Sequence, residues 1–195
     1  DLTATPKKES NIISYVDAVQ LKNEHMVKLP VIVYNRDSQS EVLIDAIDLR
    51  NKLEEIADAE YAKTGKYIRP IALFQAQPKG KEDATTFEKL RDKLVDAGIP
   101  AEQIAIRTAD VNELKNIDLM SPDCPIRYII TVNALKEGWD CPFAYILASL
   151  TNKTSQVDVE QILGRILRLP HTSQHTQSAL NMSYVLTSSN DFNNT

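Results

Sequence analysis

The segment Phe143-Ala-Tyr-Ile-Leu-Ala-Ser-Leu150 carries no charge, and it lacks the apolar–polar alternation of a half-exposed strand. A strand of this kind has to be buried on both faces. That happens when a parallel sheet is covered by helices on either side. Other parts of the chain repeat the theme. Val31–Tyr34, Ile68–Phe74, Ile104–Ile106, Ile126–Val132 and Ser183–Thr187 are short apolar runs that predict strands. Between them, residues 41–62 place Val42, Ile44, Ala46, Ile47, Leu49, Leu53, Ile56 and Ala57 at helical spacing, and Gly65 supplies a stop. Thr85–Ala97 predicts a second helix that Gly98 ends, and Val157–Leu169 a third. Gln77-Pro-Lys-Gly80 is turn material. Strands alternating with helices predict an α/β fold of three layers around a mostly parallel sheet.

The composition fits one such core. The chain has 195 residues, 43% hydrophobic and 25% charged, which excludes collagen-like and disordered classes. No run approaches the eighteen apolar residues of a membrane span. Only five glycines occur (Gly65, Gly80, Gly98, Gly138, Gly164), and neither GxGxxG nor GxxxxGK[ST] is among the motifs. Cys124 and Cys141 do not form a C-x-x-C pair, so two reduced thiols in a cytoplasmic protein are expected. His25, His171 and His175 make no ligand cluster, and no metal site is expected. The start at Asp1, with no initiator Met and no basic leader, predicts a piece of a longer protein. The net charge of −5 weighs against nucleic-acid binding by the whole surface. Residues 127–195 hold five basic and five acidic side chains, so a local phosphate-binding surface there is compatible with it.

Two constellations carry chemistry. On the helix predicted over 157–169, Gln161, Gly164, Arg165 and Arg168 share one face, with Asp158 at its edge. Val159, Ile162, Leu163, Ile166, Leu167 and Leu169 cover the other. Paired guanidiniums fork onto phosphate oxygens, and a glycine between them admits a close approach. The plainer reading is a solvated charged face. The second constellation is Glu137-Gly-Trp-Asp-Cys-Pro142, which follows the strand ending at Thr131. In a parallel sheet, ligands sit beyond the C-terminal ends of strands. Asp140 placed there accepts from a ribose hydroxyl or from an arginine, Gly138 allows a sharp turn, and Trp139 packs.

With these residues in view the chain resembles a known family. Thr131-Val-Asn-Ala-Leu-Lys-Glu-Gly-Trp-Asp-Cys-Pro142, followed by Gln161-x-x-Gly-Arg-x-x-Arg168, looks like motifs V and VI of superfamily 2 helicases. The run from Ile129 to Pro170 resembles the helicase (Res) subunit of type III restriction enzymes more closely. Arg69-Pro-Ile-Ala-Leu-Phe-Gln-Ala-Gln-Pro78 and Leu180-Asn-Met-Ser-Tyr-Val185 are similar to it too, and Leu2-Thr-Ala-Thr-Pro6 is similar to motif III.

The resemblance implies a RecA-like (P-loop NTPase-like) fold and a DNA-translocating ATPase. Residues 1–29 would end the first motor lobe and link it to a second lobe spanning 30–195. ATP and Mg²⁺ would be held mainly by the first lobe of the same polypeptide. This lobe would add Arg165 and Arg168 as arginine fingers, with Gln161 beside the γ-phosphate and Gly138, Asp140 and Gly164 lining the nucleotide. Gln75, Gln77, Thr108 and Thr131 would face the DNA backbone, with Ala109 standing where the family often has glycine. A methyltransferase (Mod) subunit is the further partner implied, and no membrane. Two other readings remain open: a non-catalytic helicase-like binding module, and a doubly wound nucleotide-binding protein that uses its own sheet edge.

Overall fold

A computed structural model describes residues 27–80, 85–132, 140–151 and 166–188. In chain order the elements are β1 (Val31–Asn35), α1 (Gln39–Thr64), β2 (Ile71–Gln75), α2 (Phe87–Asp96), β3 (Ile104–Ile106), β4 (Tyr128–Thr131), β5 (Ala144–Ser149) and β6 (Ser183–Thr187). The six strands form one sheet in the order β1-β6-β5-β2-β4-β3. Every pairing is parallel. The expected α/β class with a mostly parallel sheet is therefore what the chain adopts. Every residue of β2, β4, β5 and β6 is buried, as their uncharged sequences require. Only β1, at one edge, is partly exposed.

The helices begin and end where local chemistry dictates. Ser38 caps α1 by accepting from the Glu41 N–H, and the Glu41 carboxylate accepts from the backbone of Ser38 and Asp37. Gly65 closes the helix in the left-handed region (φ 71°), with its N–H donating to the Tyr61 carbonyl at 2.8 Å. A Cβ at Gly65 would meet nothing within 4 Å. Gly65→Ala should therefore show the backbone cost alone, about 1 kcal/mol in urea denaturation with an unchanged m-value. One face of α1 buries Val42, Leu43, Ala46, Leu53 and Ala57 against the sheet. Ile44, counted with that face from its apolar type, is 55% exposed, because two positions from Val42 is 200° around the helix. Thr86 caps α2, which ends at Asp96 with Ala97 and Gly98 (φ 91°) following.

Most limits shift by one or two residues from expectation, and two larger differences trace to a proline. β2 starts at Ile71 rather than Ile68, since Pro70 has no N–H for a ladder. Of the helix predicted over 157–169, residues 157–165 lie outside the described residues. Ile166 is helical, but Leu167 is not, Arg168 forms an isolated antiparallel bridge with Val27, and Leu169 is extended (φ −69°, ψ 134°). A helical Leu169 would clash with the ring of Pro170. Arg168 is thus not helical, although the sequence pattern placed it on a helix face. Among the described residues, no helix is long and apolar enough to cross a membrane.

Candidate functional site

The sheet separates the expected site residues onto its two edges. At the C-terminal edge the last residues of five strands lie side by side in register: Asn35, Thr187, Ser149, Gln75 and Thr131. This is a polar row across an otherwise apolar sheet. Thr187, Ser149, Gln75 and Thr131 are all buried. The Ser149 hydroxyl donates to Gln75 Oε1 at 3.2 Å. The chain leaves β2 toward β3 and β5 toward β6, in opposite directions, so the β2/β5 boundary is the position where such sheets open a crevice. Here it is filled. Gln77 Nε2 and Gln39 Nε2 both donate to the Leu150 carbonyl, at 3.0 and 2.9 Å, and Gln77 Oε1 accepts from the Thr85 N–H at 2.9 Å.

Gln75, Gln77 and Thr131 therefore occupy the expected edge, but as buried side chains engaged within the protein. Thr108 differs: it is half-buried in the turn after β3, its hydroxyl accepting from the Asp110 and Val111 N–H groups at 3.3 and 3.1 Å. It borders a groove of about 380 Å³ lined also by Lys79, Phe87, Val111 and Val132. Asn35, Ser149 and Thr187 were not singled out from sequence. Their one signal was that each is a polar residue closing an apolar run.

Asp140 belongs to the other edge. The sequence reading placed it beyond the C-terminal end of a strand. Because β4 and β5 are parallel, Thr131 at the end of β4 and Asp140 just ahead of β5 lie at opposite ends of the sheet. There Arg168 Nη1 donates to Asp140 Oδ2 at 3.0 Å. The two residues come from separate motifs and are 28 positions apart. Their side chains are 59% and 42% exposed, so the pair adds at most about 1 kcal/mol to stability. Asp140 also borders an open groove of about 330 Å³ with Arg107, Leu114, Leu119 and Met120.

Behind this pair lies a residue that sequence reasoning missed. Lys28 is fully buried, its ammonium donating to the Pro142 carbonyl at 2.9 Å and the Ala144 carbonyl at 2.6 Å. It stands 4.4 Å from the centre of the Tyr145 ring. Its backbone N–H donates to the Leu167 carbonyl, next to the Val27–Arg168 bridge. A single lysine between Val27 and Leu29 leaves no repeating pattern by which to find it. Burial pushes the amine down to about 7, against the opposing pull of Cys141 and Asp140. Burial likewise pushes the Cys141 thiol up to about 11, with the Lys28 charge opposing. Cys141 is thus an unreactive thiol at neutral pH.

The lysine shift has a consequence for stability. Between pH 7 and the ordinary lysine value of 10.5 the unfolded chain binds a proton that the folded chain does not, so stability rises with pH. Above pH 9 the buried thiol acts in the opposite sense, because its unfolded form ionises first. Between pH 7 and 9 Lys28 should add about 2 kcal/mol of stability in urea denaturation, and Lys28→Met should flatten that rise.

Gln161, Gly164, Arg165, Gly138 and Trp139 lie outside the described residues, as does Leu2–Pro6. His171 and His175 meet edge to face with ring centres 6.4 Å apart. His175 is buried 3.6 Å from Glu60, whose carboxylate accepts from the Thr176 and Gln177 backbone. That arrangement ties the segment ahead of β6 to α1. Among the described residues no cluster of histidine, cysteine or carboxylate could hold a metal ion.

No family model matches the chain, and no curated protein matches it. Among solved structures it is similar to "ATP-dependent Type ISP restriction-modification enzyme LlaBIII bound to DNA", at 17% identity and a TM-score of 0.43. The match covers 86% of this chain and 12% of that one.

Proposed function

We propose that this chain is the second RecA-like lobe of an ATP-dependent DNA translocase or helicase of the type III restriction Res kind, with residues 1–29 leading in from a first lobe. The Asp140–Arg168 pair carries the reading. Two residues from the stretches that look like motifs V and VI meet on an exposed surface, with Asp140 orienting a guanidinium that remains largely open to solvent. An aimed, exposed arginine suits a developing charge on a phosphoryl group. The fit to ATP rests on that donor, with Asp140 able to accept from a ribose hydroxyl. Mg²⁺ would neutralise the β- and γ-phosphates, held by the first lobe. On the opposite edge, Thr108 belongs to the surface that would meet the DNA backbone, while the buried Gln75, Gln77 and Thr131 shape it from within.

The test joins these residues to a lobe carrying a P-loop and measures DNA-stimulated ATP hydrolysis. The 195 residues alone should not turn over ATP, because half a cleft cannot preorganise both phosphates and metal. Strong single-turnover hydrolysis by the isolated lobe would overturn the reading. Co-purification with a methyltransferase subunit tests the type III assignment separately.

A further inference from the structure

We propose that Lys28 is a positioning residue for the nucleotide face: by holding the Pro142 and Ala144 carbonyls it fixes Asp140, and through Asp140 the direction of Arg168. The inference rests on the reading that Asp140 and Arg168 meet the nucleotide.

An exposed ion pair does not hold itself in one geometry, because its two long side chains lose more freedom than the screened charges return. Something behind the pair has to fix it. Lys28 holds both arms of the Asp140–Arg168 pair, with Val27 beside it on the Arg168 arm. Lys28 grips the Asp140 arm with its side chain, bonding carbonyls two and four positions beyond Asp140. The Arg168 arm is gripped by backbone alone, through the Lys28 N–H on the Leu167 carbonyl and the Val27–Arg168 bridge.

A lysine is a poor choice if only filling were needed. The buried amine gives up its hydration whether or not it holds its proton, and an apolar side chain of similar length would fill the space without that loss. What lysine adds is direction: two short hydrogen bonds onto a chain segment next to Asp140, with the Tyr145 ring beneath the charge. The strand-like segment ahead of β1 is thereby coupled to both nucleotide motifs, so displacement of that segment reaches Arg168.

The test uses the full-length motor with Lys28→Met, Lys28→Gln, Asp140→Ala and Arg168→Ala. Lys28→Met should lower DNA-stimulated kcat by about 10- to 100-fold, the range seen when a supporting group around a reacting site is lost. Lys28→Gln keeps a two-hydrogen donor and should recover part of it. In an Asp140→Ala background Lys28→Met should have little further effect, because its action runs through Asp140. An undiminished Lys28→Met loss in that background would show a merely structural role and overturn the proposal, and so would full kcat in Lys28→Met. If neither Lys28 variant folds, as read by its circular dichroism, Lys28 is core support and the proposal is equally overturned. Arg168→Ala separates the two levels. Full activity there removes the nucleotide reading itself, whereas collapse there beside a wild-type Lys28→Met removes only the positioning role.

Discussion

Arg168→Ala in the complete motor is expected to cost about 10³-fold or more in DNA-stimulated kcat, while the folded lobe keeps its stability to within about 1 kcal/mol. The separation follows from the geometry. Among the described residues the Arg168 side chain bonds Asp140 alone, and it is 59% exposed, so little of the described fold depends on it. Its value in the proposed role lies in the transition state, where a preoriented guanidinium meets charge that the ground state lacks. Arg168→Lys should restore only a small part, since an ammonium cannot fork onto two oxygens. Steady-state ATPase assays beside urea denaturation check both halves. Unchanged kcat in Arg168→Ala would sink the finger role, and a large stability loss would show that the arginine serves the fold instead.

Arg69→Met is expected to do the reverse: a loss of about 3 kcal/mol in stability, roughly 6–12 °C for a domain of this size. Arg69 is 1% exposed. Its guanidinium donates to the carbonyls of Leu119, Ser121 and Ile126 and to the Tyr67 hydroxyl, and it lies over the Phe143 ring. One planar fork therefore ties the chain between β3 and β4 back to the start of β2. Removing it strands several acceptors at once, each costing about 1–3 kcal/mol where water does not replace the donor. Part is returned because a buried cation is no longer desolvated. Arg69→Lys should behave almost as badly, since a point charge cannot span three carbonyls. Differential scanning calorimetry reads the shift directly. A Tm within 2 °C of wild type for Arg69→Met would mean that water or local rearrangement takes over those carbonyls.

How much of this was legible in the sequence depended on whether a feature repeats along the chain. β3 and β6 were predicted at their observed limits, because uncharged runs report burial on both faces. Gly65 and Gly98 marked helix ends because positive φ is cheap for glycine. The extended conformation of Leu169 was also legible in Pro170, although the amphipathic pattern ran through it. Ile44 shows the limit of that pattern: counting apolar residues without counting degrees puts it on the wrong face.

For the site, sequence picked out Asp140 and Arg168, and the structure brings them to 3.0 Å. It assigned Asp140 to the wrong edge of the sheet. Asp140 was read from the strand that precedes it, whereas its place just ahead of the next parallel strand puts it at the opposite end. Gln75 and Gln77 were expected as exposed contacts and are buried, for a similar reason: an amide closing a strand looks the same whether it faces solvent or the Leu150 carbonyl.

By itself, then, the sequence determined an α/β chain with a parallel sheet, the approximate places of its elements, and the two motifs where phosphate chemistry would be sought. Those follow from periodicity, charge and turn chemistry, which act within a few residues. Tertiary structure alone decided the strand order, the division of the candidate residues between two edges, and the burial of Lys28 and Arg69. The physical reason is the distance over which those side chains are satisfied. Arg69 reaches a carbonyl 50 positions away and Lys28 one 116 positions away. A buried cation bonded to remote backbone carbonyls leaves no complementary charge and no repeat in the sequence, so only the folded chain shows what it holds.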